Sequence, residues 1–275
     1  MSLVTAVIVD FHSGDHLDAC VASLRAAGVT DIVVVDNSAV GASHHLDGVR
    51  LIDPRFNLGY GRAVNRGVAA SPSATPYVLV TNPDVVVDES AVDEMVSVAS
   101  ATGAAMVGPE IRRPNGTVYP AWRIFPGPLI SVGHALVGLA WKNNPWTRAY
   151  RSPGRDGHVD WVSGACFLIR RDVFEQVGGF DERYFMFAED MDLCWRVGRA
   201  GGQILPAPRA RVMHVEGVSR ERHVRPMISA HHRSAIRFAA TTARGWRRVR
   251  VPFAVAVLSL RWLLALARPS RSVRN

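Results

Sequence analysis

Between Phe185 and Arg196 the chain sets Glu189, Asp190 and Asp192 among aromatic side chains, Met and Leu. A carboxylate in apolar surroundings persists only where it is solvated, paired, bound to a metal or used to move a proton. A second acid stands far upstream, where the apolar run at 77–81 ends abruptly in Asn82, Pro83 and Asp84. An acid at the tip of a buried strand lies where a parallel α/β sheet places its ligands. The two acidic sites together point to a cation at one and a general base at the other. For Glu189 and Asp192 the competing role is to cap a helix start and to pair with Arg196.

Two further strand tips carry acids, Asp10-Phe11-His12-Ser13 after Val9 and Asp36-Asn37-Ser38. Such acids can accept hydrogen bonds from ribose hydroxyls or a base imide, and singly they also serve as turn and helix-cap residues. The segment 57–67, with Asn57, Gly59, Gly61, Arg62, Asn65 and Gly67, has glycines that let backbone approach a ligand and a helix start whose free N–H groups suit an anion. It contains neither the phosphate-loop Gly-Lys-Ser/Thr nor the dinucleotide fingerprint. Trp161, Ser163 and Gly164 are candidates to line a second substrate's site, with core packing as the alternative for Trp161.

The elements that must position these residues alternate. Strands are expected at 4–9, 32–35 and 77–80, and helices at 16–27, 61–70 and 90–102, the pattern of a doubly wound, mainly parallel α/β sheet. After a strand at 106–109, the Pro-, Gly- and Trp-rich stretch 112–156 reads as irregular, with a mobile-looking segment at 141–146, as lids and binding loops do. Regular structure resumes at 160–169, followed by a helix at 171–177, a Gly-Gly turn at 178–181 and a further run at 203–214. No internal repeat is visible.

At 275 residues and 48% hydrophobic content the chain is long enough for one large core or a core plus a smaller subdomain. Cys20, Cys166 and Cys194 show no paired or metal spacing and read as reduced, buried residues of a cytosolic chain. Met1 leads directly into a strand, so no signal peptide is expected. The net charge of +8 is carried almost wholly by arginine, since Lys142 is the one lysine, and the arginines crowd into 209–274. An anionic partner follows from that crowding. Phospholipid suits it better than nucleic acid, because the apolar run 251–267 lies between Arg244, Arg247, Arg248 and Arg250 on one side and Arg268 and Arg271 on the other. With Arg261 inside it, the run suits a helix lying in the headgroup region better than a span; the alternative is a core or oligomer helix with a basic exposed face.

Taken in order, the motifs resemble those of family 2 inverting glycosyltransferases with the GT-A fold. They are Val7 to Ser13, Val35-Asp36-Asn37-Ser38, Asn57-x-Gly59-x-Gly61-x-x-x-Asn65-x-Gly67, Thr81-Asn82-Pro83-Asp84, Ser163-Gly164-Ala165, Val177 to Glu182, Glu189-Asp190-x-Asp192-Leu193 and His214-x-x-Gly217-x-Ser219. The resemblance implies a glycosyltransferase domain at 1–222, with a nucleotide-sugar half at 1–105 and an acceptor and catalytic half at 106–222. The basic helical extension at 223–275 would associate with the membrane. It assigns nucleotide-sugar contacts to Val9, Asp10, Phe11, Asp36, Asn57, Gly61, Arg62, Asn65, Asn82 and Asp84, and acceptor contacts to Trp161, Ser163, Gly164, Ala165 and Asp192. Asp190 would be the general base, with Glu189 beside it. Asp84 and His214 would hold Mg²⁺ or Mn²⁺. Asn82 stands where the family's Asp-x-Asp has its first acid, which weakens the cation site.

Within the family, the 59–65 segment, the Asn-Pro-Asp form and the length look most like bacterial rhamnosyltransferases that use dTDP-L-rhamnose. Their acceptor is GlcNAc-diphosphoryl-polyprenol at the cytoplasmic membrane face. Transfer of another nucleotide sugar to a glycan or lipid is the nearest alternative. A sugar nucleotidyltransferase would carry a basic Gly-rich N-terminal loop, whereas 11–17 holds Gly14 and no Lys or Arg. A non-enzymatic adaptor would leave the ordered acids unexplained.

Overall fold

The computed structural model describes residues 3–38, 46–71, 75–125, 127–138, 141, 143–151, 159–215 and 224–267. Gly217 and Ser219, with Lys142, Arg268 and Arg271, lie outside these residues. The chain divides into two compact units, Met1–Ile124 with Pro153–Ser219, and Phe125–Ser152 with Arg220–Asn275.

The first unit carries the sheet. In chain order its elements begin with β1 (Val4–Asp10), α1 (Asp15–Ala26), β2 (Asp31–Asp36), β3 (Arg50–Ile52), α2 (Tyr60–Ala70), β4 (Tyr77–Thr81), β5 (Val85–Val87), α3 (Ala91–Thr102), β6 (Met106–Arg112), β7 (Val118–Tyr119) and β8 (Trp122–Arg123). In the second unit α4 (Pro128–Val137) and α5 (Pro145–Arg151) follow. The first unit then resumes with β9 (Trp161–Val162), β10 (Cys166–Arg170), α6 (Arg171–Gln176), α7 (Glu189–Arg199) and β11 (Ile204–His214). The main sheet has the order β3-β2-β1-β4-β10-β6-β11-β5, with β7 added on β6, while β8 and β9 form a separate ribbon. The first four strands in this order run parallel, because each returns through a helix or long connection; β10 is antiparallel to both β4 and β6. Strands β1, β2 and β4 are apolar on both faces, with Ile8, Val34 and Leu79 fully buried, as a sheet covered by helices on both sides requires.

The expected elements of the first half are present, each bound within one residue. The stretch 112–156, read as irregular, is corrected: it contains β7, β8, α4 and α5. Its prolines and glycines stand mainly at element borders, as at Gly127, Pro128, Gly138 and Pro145, where they start and stop structure rather than prevent it. Within the segment 141–146, the described residues Trp141 and Asn144 are tied together and to Thr147. The fully buried Asn144 side chain caps α5 by accepting the Thr147 N–H at 2.8 Å and donates to the Trp141 carbonyl at 2.6 Å.

The second unit is helical. With α4 and α5 it contains α8 (Val224–Thr242) and α9 (Val251–Ala267), and α4 packs on both α5 and α9 while α8 packs on α9. Trp262 of α9 stacks on His232 and donates its indole N–H to Ser229 Oγ at 3.2 Å. Arg248–Leu266 is long and apolar enough to cross a membrane by length and composition, and none of that window is buried.

Candidate active site

Parallel pairing of β1 with β2 sets Asp10 opposite Asp36, so both carboxylates reach the same end of the sheet. Both are buried, and each accepts hydrogen bonds from the serine that follows: Ser13 N–H and Oγ–H on Asp10, Ser38 N–H and Oγ–H on Asp36. Val9 is buried beside them, and the Phe11 ring lies against His12. Asn37 ties this edge to the next loop. Its N–H donates to Asp10 O, its amide donates to Asn57 Oδ1 at 2.9 Å, and its own Oδ1 accepts the Leu58 N–H at 2.7 Å.

That loop is pinned from the other side by the start of α7. The Tyr60 N–H donates to Phe185 O at 2.9 Å, and Gly59 has φ +80° there. A Cβ on Gly59 would stand 2.4 Å from Phe185 O, so only glycine fits. Phe187 and Ala188, just before α7, both hold positive φ without being glycine, at 69° and 59°. Strain of that kind is held in place only by its surroundings, and it collects at functional sites.

The dipeptide Gly164–Ala165 joins three segments. Tyr60 Oη donates to Gly164 O at 2.6 Å, the Gly164 N–H donates to Asp190 Oδ2 at 2.9 Å, and the Asn82 N–H donates to Ala165 O at 2.8 Å. This follows from topology, since antiparallel pairing of β10 with β4 sets Cys166 opposite Thr81 and brings the turn before β10 to the tip of β4. Ser163 is buried, and its Oγ accepts the Ala165 N–H. Trp161 is buried, with the Arg123 guanidinium 4.8 Å from its ring centroid across the β8–β9 ribbon.

Glu189 and Asp190 open α7 in different surroundings. Burial, with the Asp190 charge beside it, pushes the Glu189 carboxyl up to about 8, and Glu189 Oε2 has no hydrogen-bond partner among the described residues. Burial also raises Asp190, but the N–H groups of Gly164 and Met191 and the charge of Arg123 oppose that rise. Both neighbouring acids are thus held above the ordinary carboxylate range, and the N–H donors of Gly164 and Met191 favour the charged form at Asp190, a help that Glu189 Oε2 lacks. Tyr60, raised well above the ordinary phenol by burial, stays a donor.

Asp84 and His214 meet across β5 and β11, with His214 Nε2 3.0 Å from Asp84 Oδ1 and both side chains about nine-tenths buried. Asn82 Nδ2 lies 3.4 Å from the same Nε2. One ring nitrogen cannot donate to Asp84 and accept from Asn82 at once. With the Asn82 amide turned so that its oxygen faces inward, a carboxylate oxygen, an imidazole nitrogen and an amide oxygen converge, a donor set that Mg²⁺ or Mn²⁺ accepts. His214 Nδ1 is buried without a hydrogen-bond partner among the described residues.

Other expected contacts are engaged with the protein itself. Asp192 accepts from Arg196 Nε at 2.7 Å and from the Tyr184 hydroxyl at 3.4 Å, the pairing weighed from sequence as its alternative role. Asn65 exchanges two hydrogen bonds with the Phe180 backbone, Gly61 lies against the Phe180 side chain, and Arg62 pairs with Glu182 at 3.2 Å. Sequence reading passed over Tyr60, Asn37 and Arg123. Two glycines flanking Tyr60 were a usable signal for its close packing, whereas nothing local marked Arg123.

Residues 5–178 match the family described as Glycosyl transferase family 2. The chain is 38% identical to an N-acetylglucosaminyl-diphospho-decaprenol L-rhamnosyltransferase of Mycobacterium tuberculosis, over 95% of this chain and 89% of the relative. It is 24% identical to the rhamnosyltransferase WbbL of Escherichia coli, over 66% of this chain and 70% of that one. Among solved structures, the mannosyltransferase PcManGT from Pyrobaculum calidifontis, in complex with GDP-Man and Mn²⁺, aligns with a TM-score of 0.58 at 12% identity, covering 98% of this chain and 76% of that one. That last likeness is one of fold, and it agrees with the GT-A arrangement implied by the motifs.

Proposed function

Because this chain belongs to glycosyl transferase family 2, we propose that it moves L-rhamnose from dTDP-L-rhamnose, with inversion, onto a GlcNAc unit carried on a polyprenyl diphosphate. The substrate half of this reading rests on the 38% identity to the mycobacterial enzyme over nearly the whole chain. The chemical half is supported by one observation: Gly164–Ala165 accepts from the Asn82 N–H and donates to the Asp190 carboxylate, which links the acid we assign as base to the turn we assign to the diphosphate.

Asp190 takes the proton from the acceptor hydroxyl as that oxygen attacks the anomeric carbon, and the bond from that carbon to the diphosphate oxygen breaks on the opposite face. Asp36 and Asp10, at the tips of β2 and β1, receive the nucleoside. Asp84 and His214, with Asn82, would hold a divalent cation, and such a cation would offset the charge of the departing diphosphate. Trp161, Ser163 and Gly164 line the acceptor side. The exposed apolar face of α9, with Phe253, Leu260, Leu263 and Leu264 turned to solvent, attaches the enzyme to the anionic inner face of the cell membrane, where a lipid-linked acceptor resides.

Thermal stabilisation across a panel of nucleotide sugars, nucleoside triphosphates and DNA, each with and without Mn²⁺, tests the reading. The largest shift is expected with dTDP-L-rhamnose plus cation. A larger, selective shift with a nucleoside triphosphate or DNA would overturn it.

A further inference from the structure

The helical unit presents a second apolar surface besides α9. Leu136 at the end of α4, Trp141 in the connection and Trp146 on α5 are exposed by 44%, 56% and 42%. They are not on a loose loop. Asn144 locks the turn through Trp141 and Thr147, His134 stacks on Tyr150 at 4.3 Å, and Trp146 fills the notch at Gly133, where an added Cβ would come within 2.3 Å of its ring. Two tryptophans and a leucine held in water by these contacts are unfavourably placed unless something covers them.

Charge says what that is. The unit Phe125–Ser152 with Arg220–Asn275 holds sixteen Lys and Arg against one acidic residue, Glu221, whereas the rest of the chain is net acidic. A second copy of this unit would bring like charges together, whereas an anionic leaflet attracts basic residues near it. Tryptophan is also the side chain that settles at the headgroup level, apolar ring inward and N–H outward.

We propose that the α4–α5 hairpin is a second membrane-docking element, inserting Trp141, Trp146 and Leu136 into the headgroup region of an anionic lipid surface. This rests on the membrane attachment proposed above. It extends that attachment from one helix to a surface formed by two elements, α9 and the hairpin, which α4 joins by packing on both.

The test uses the full chain with vesicles of phosphatidylglycerol and phosphatidylcholine. Brominated lipid should quench tryptophan emission, and Trp141→Phe with Trp146→Phe, which keeps the packing at Gly133, should remove much of the quenched fraction. Trp141→Ala with Leu136→Ala, neither of which fills that notch, should weaken vesicle binding about tenfold or more, since two side chains leaving water readily supply a factor of ten. Bound protein whose Trp141 and Trp146 emission is untouched by bromine would overturn the hairpin's role and leave attachment through α9 standing. Absence of any vesicle binding by the unaltered chain would instead overturn the attachment itself. Self-association in lipid-free sedimentation that Trp141→Ala abolishes would assign the surface to a second copy and overturn the proposal.

Discussion

His214 Nε2 stands 3.0 Å from Asp84 Oδ1 because β5 and β11 pair antiparallel with Val85 opposite His214, although the two residues are 130 positions apart. Neither residue meets a third His, Cys, Asp or Glu in a metal-sized cluster among the described residues. Asp84, His214 and the amide of Asn82 are therefore the residues that would hold a cation there, and it would offset the charge of the substrate diphosphate.

Asp84→Ala should accordingly weaken dTDP-L-rhamnose binding by a factor on the order of 10–100 and remove most of its dependence on Mg²⁺ or Mn²⁺, with His214→Ala acting in the same direction but less. Calorimetric titration with and without EDTA reads both effects. Donor affinity in the unaltered chain that EDTA leaves intact would assign the diphosphate charge to arginine or backbone N–H groups instead.

Tyr60 is linked to Asp190, the proposed base, through Gly164, whose carbonyl accepts from Tyr60 Oη while its N–H donates to Asp190. Tyr60→Phe removes one buried hydrogen bond and leaves the ring in place. We expect kcat to fall about 3- to 10-fold with donor KM nearly unchanged, the size of one such bond. A change confined to donor KM would place Tyr60 in donor binding instead.

Glu189 gives stability a pH dependence of known sign. Its carboxyl is pushed from an ordinary 4.5 to about 8 in the folded chain. Between those values the folded state keeps a proton that the unfolded state has released, so stability falls as pH rises through that window. Glu189→Gln cancels this loss. The melting temperature of the variant relative to the original should therefore rise from pH 4.5 upward and level off above about pH 8. A difference that does not change with pH would mean that Glu189 is ionised in the fold.

Leu263 and Leu264 on α9 are exposed by 65% and 48%, so a charge there leaves the core intact. Leu263→Glu should lower binding to anionic vesicles about tenfold or more, and binding by the unaltered chain should fall with added salt. Flotation at low and high salt measures both. Salt-independent, equal binding by the two forms would remove α9 from the membrane contact.

The sheet was legible because its strands are short apolar runs ended by Asp10, Asp36 and Asn82, and strand tips are where a period change and a polar residue coincide. The acidic cluster of Glu189, Asp190 and Asp192 stood out from its setting among Phe185, Phe187, Met191 and Leu193, and the role proposed for Asp190 came from the family resemblance. What distance in sequence hides was not legible: the bond from Tyr60 to Gly164 and the closure of Asn65 on Phe180 both depend on contacts across more than 100 residues, and the meeting of His214 with Asp84 was reached only through the family resemblance, which gave both to one cation. The helices α4 and α5 were missed for a local reason. Gly127, Pro128, Gly138 and Pro145 read as breaks, and their positions just outside or at the first turn of a helix became clear only from the backbone.

Asp190 carries the central claim, and one assay reaches it directly: transfer of radiolabelled rhamnose from dTDP-L-rhamnose to GlcNAc-diphosphoryl-polyprenol by the unaltered chain and by Asp190→Asn. The unaltered chain should form the lipid-linked disaccharide, and the variant should lose about 10²–10⁴-fold in turnover while binding the donor as before, as expected for removal of a general base. No transfer by the unaltered chain, near-normal turnover by Asp190→Asn, or a loss found with Glu189→Gln in its place would contradict the account.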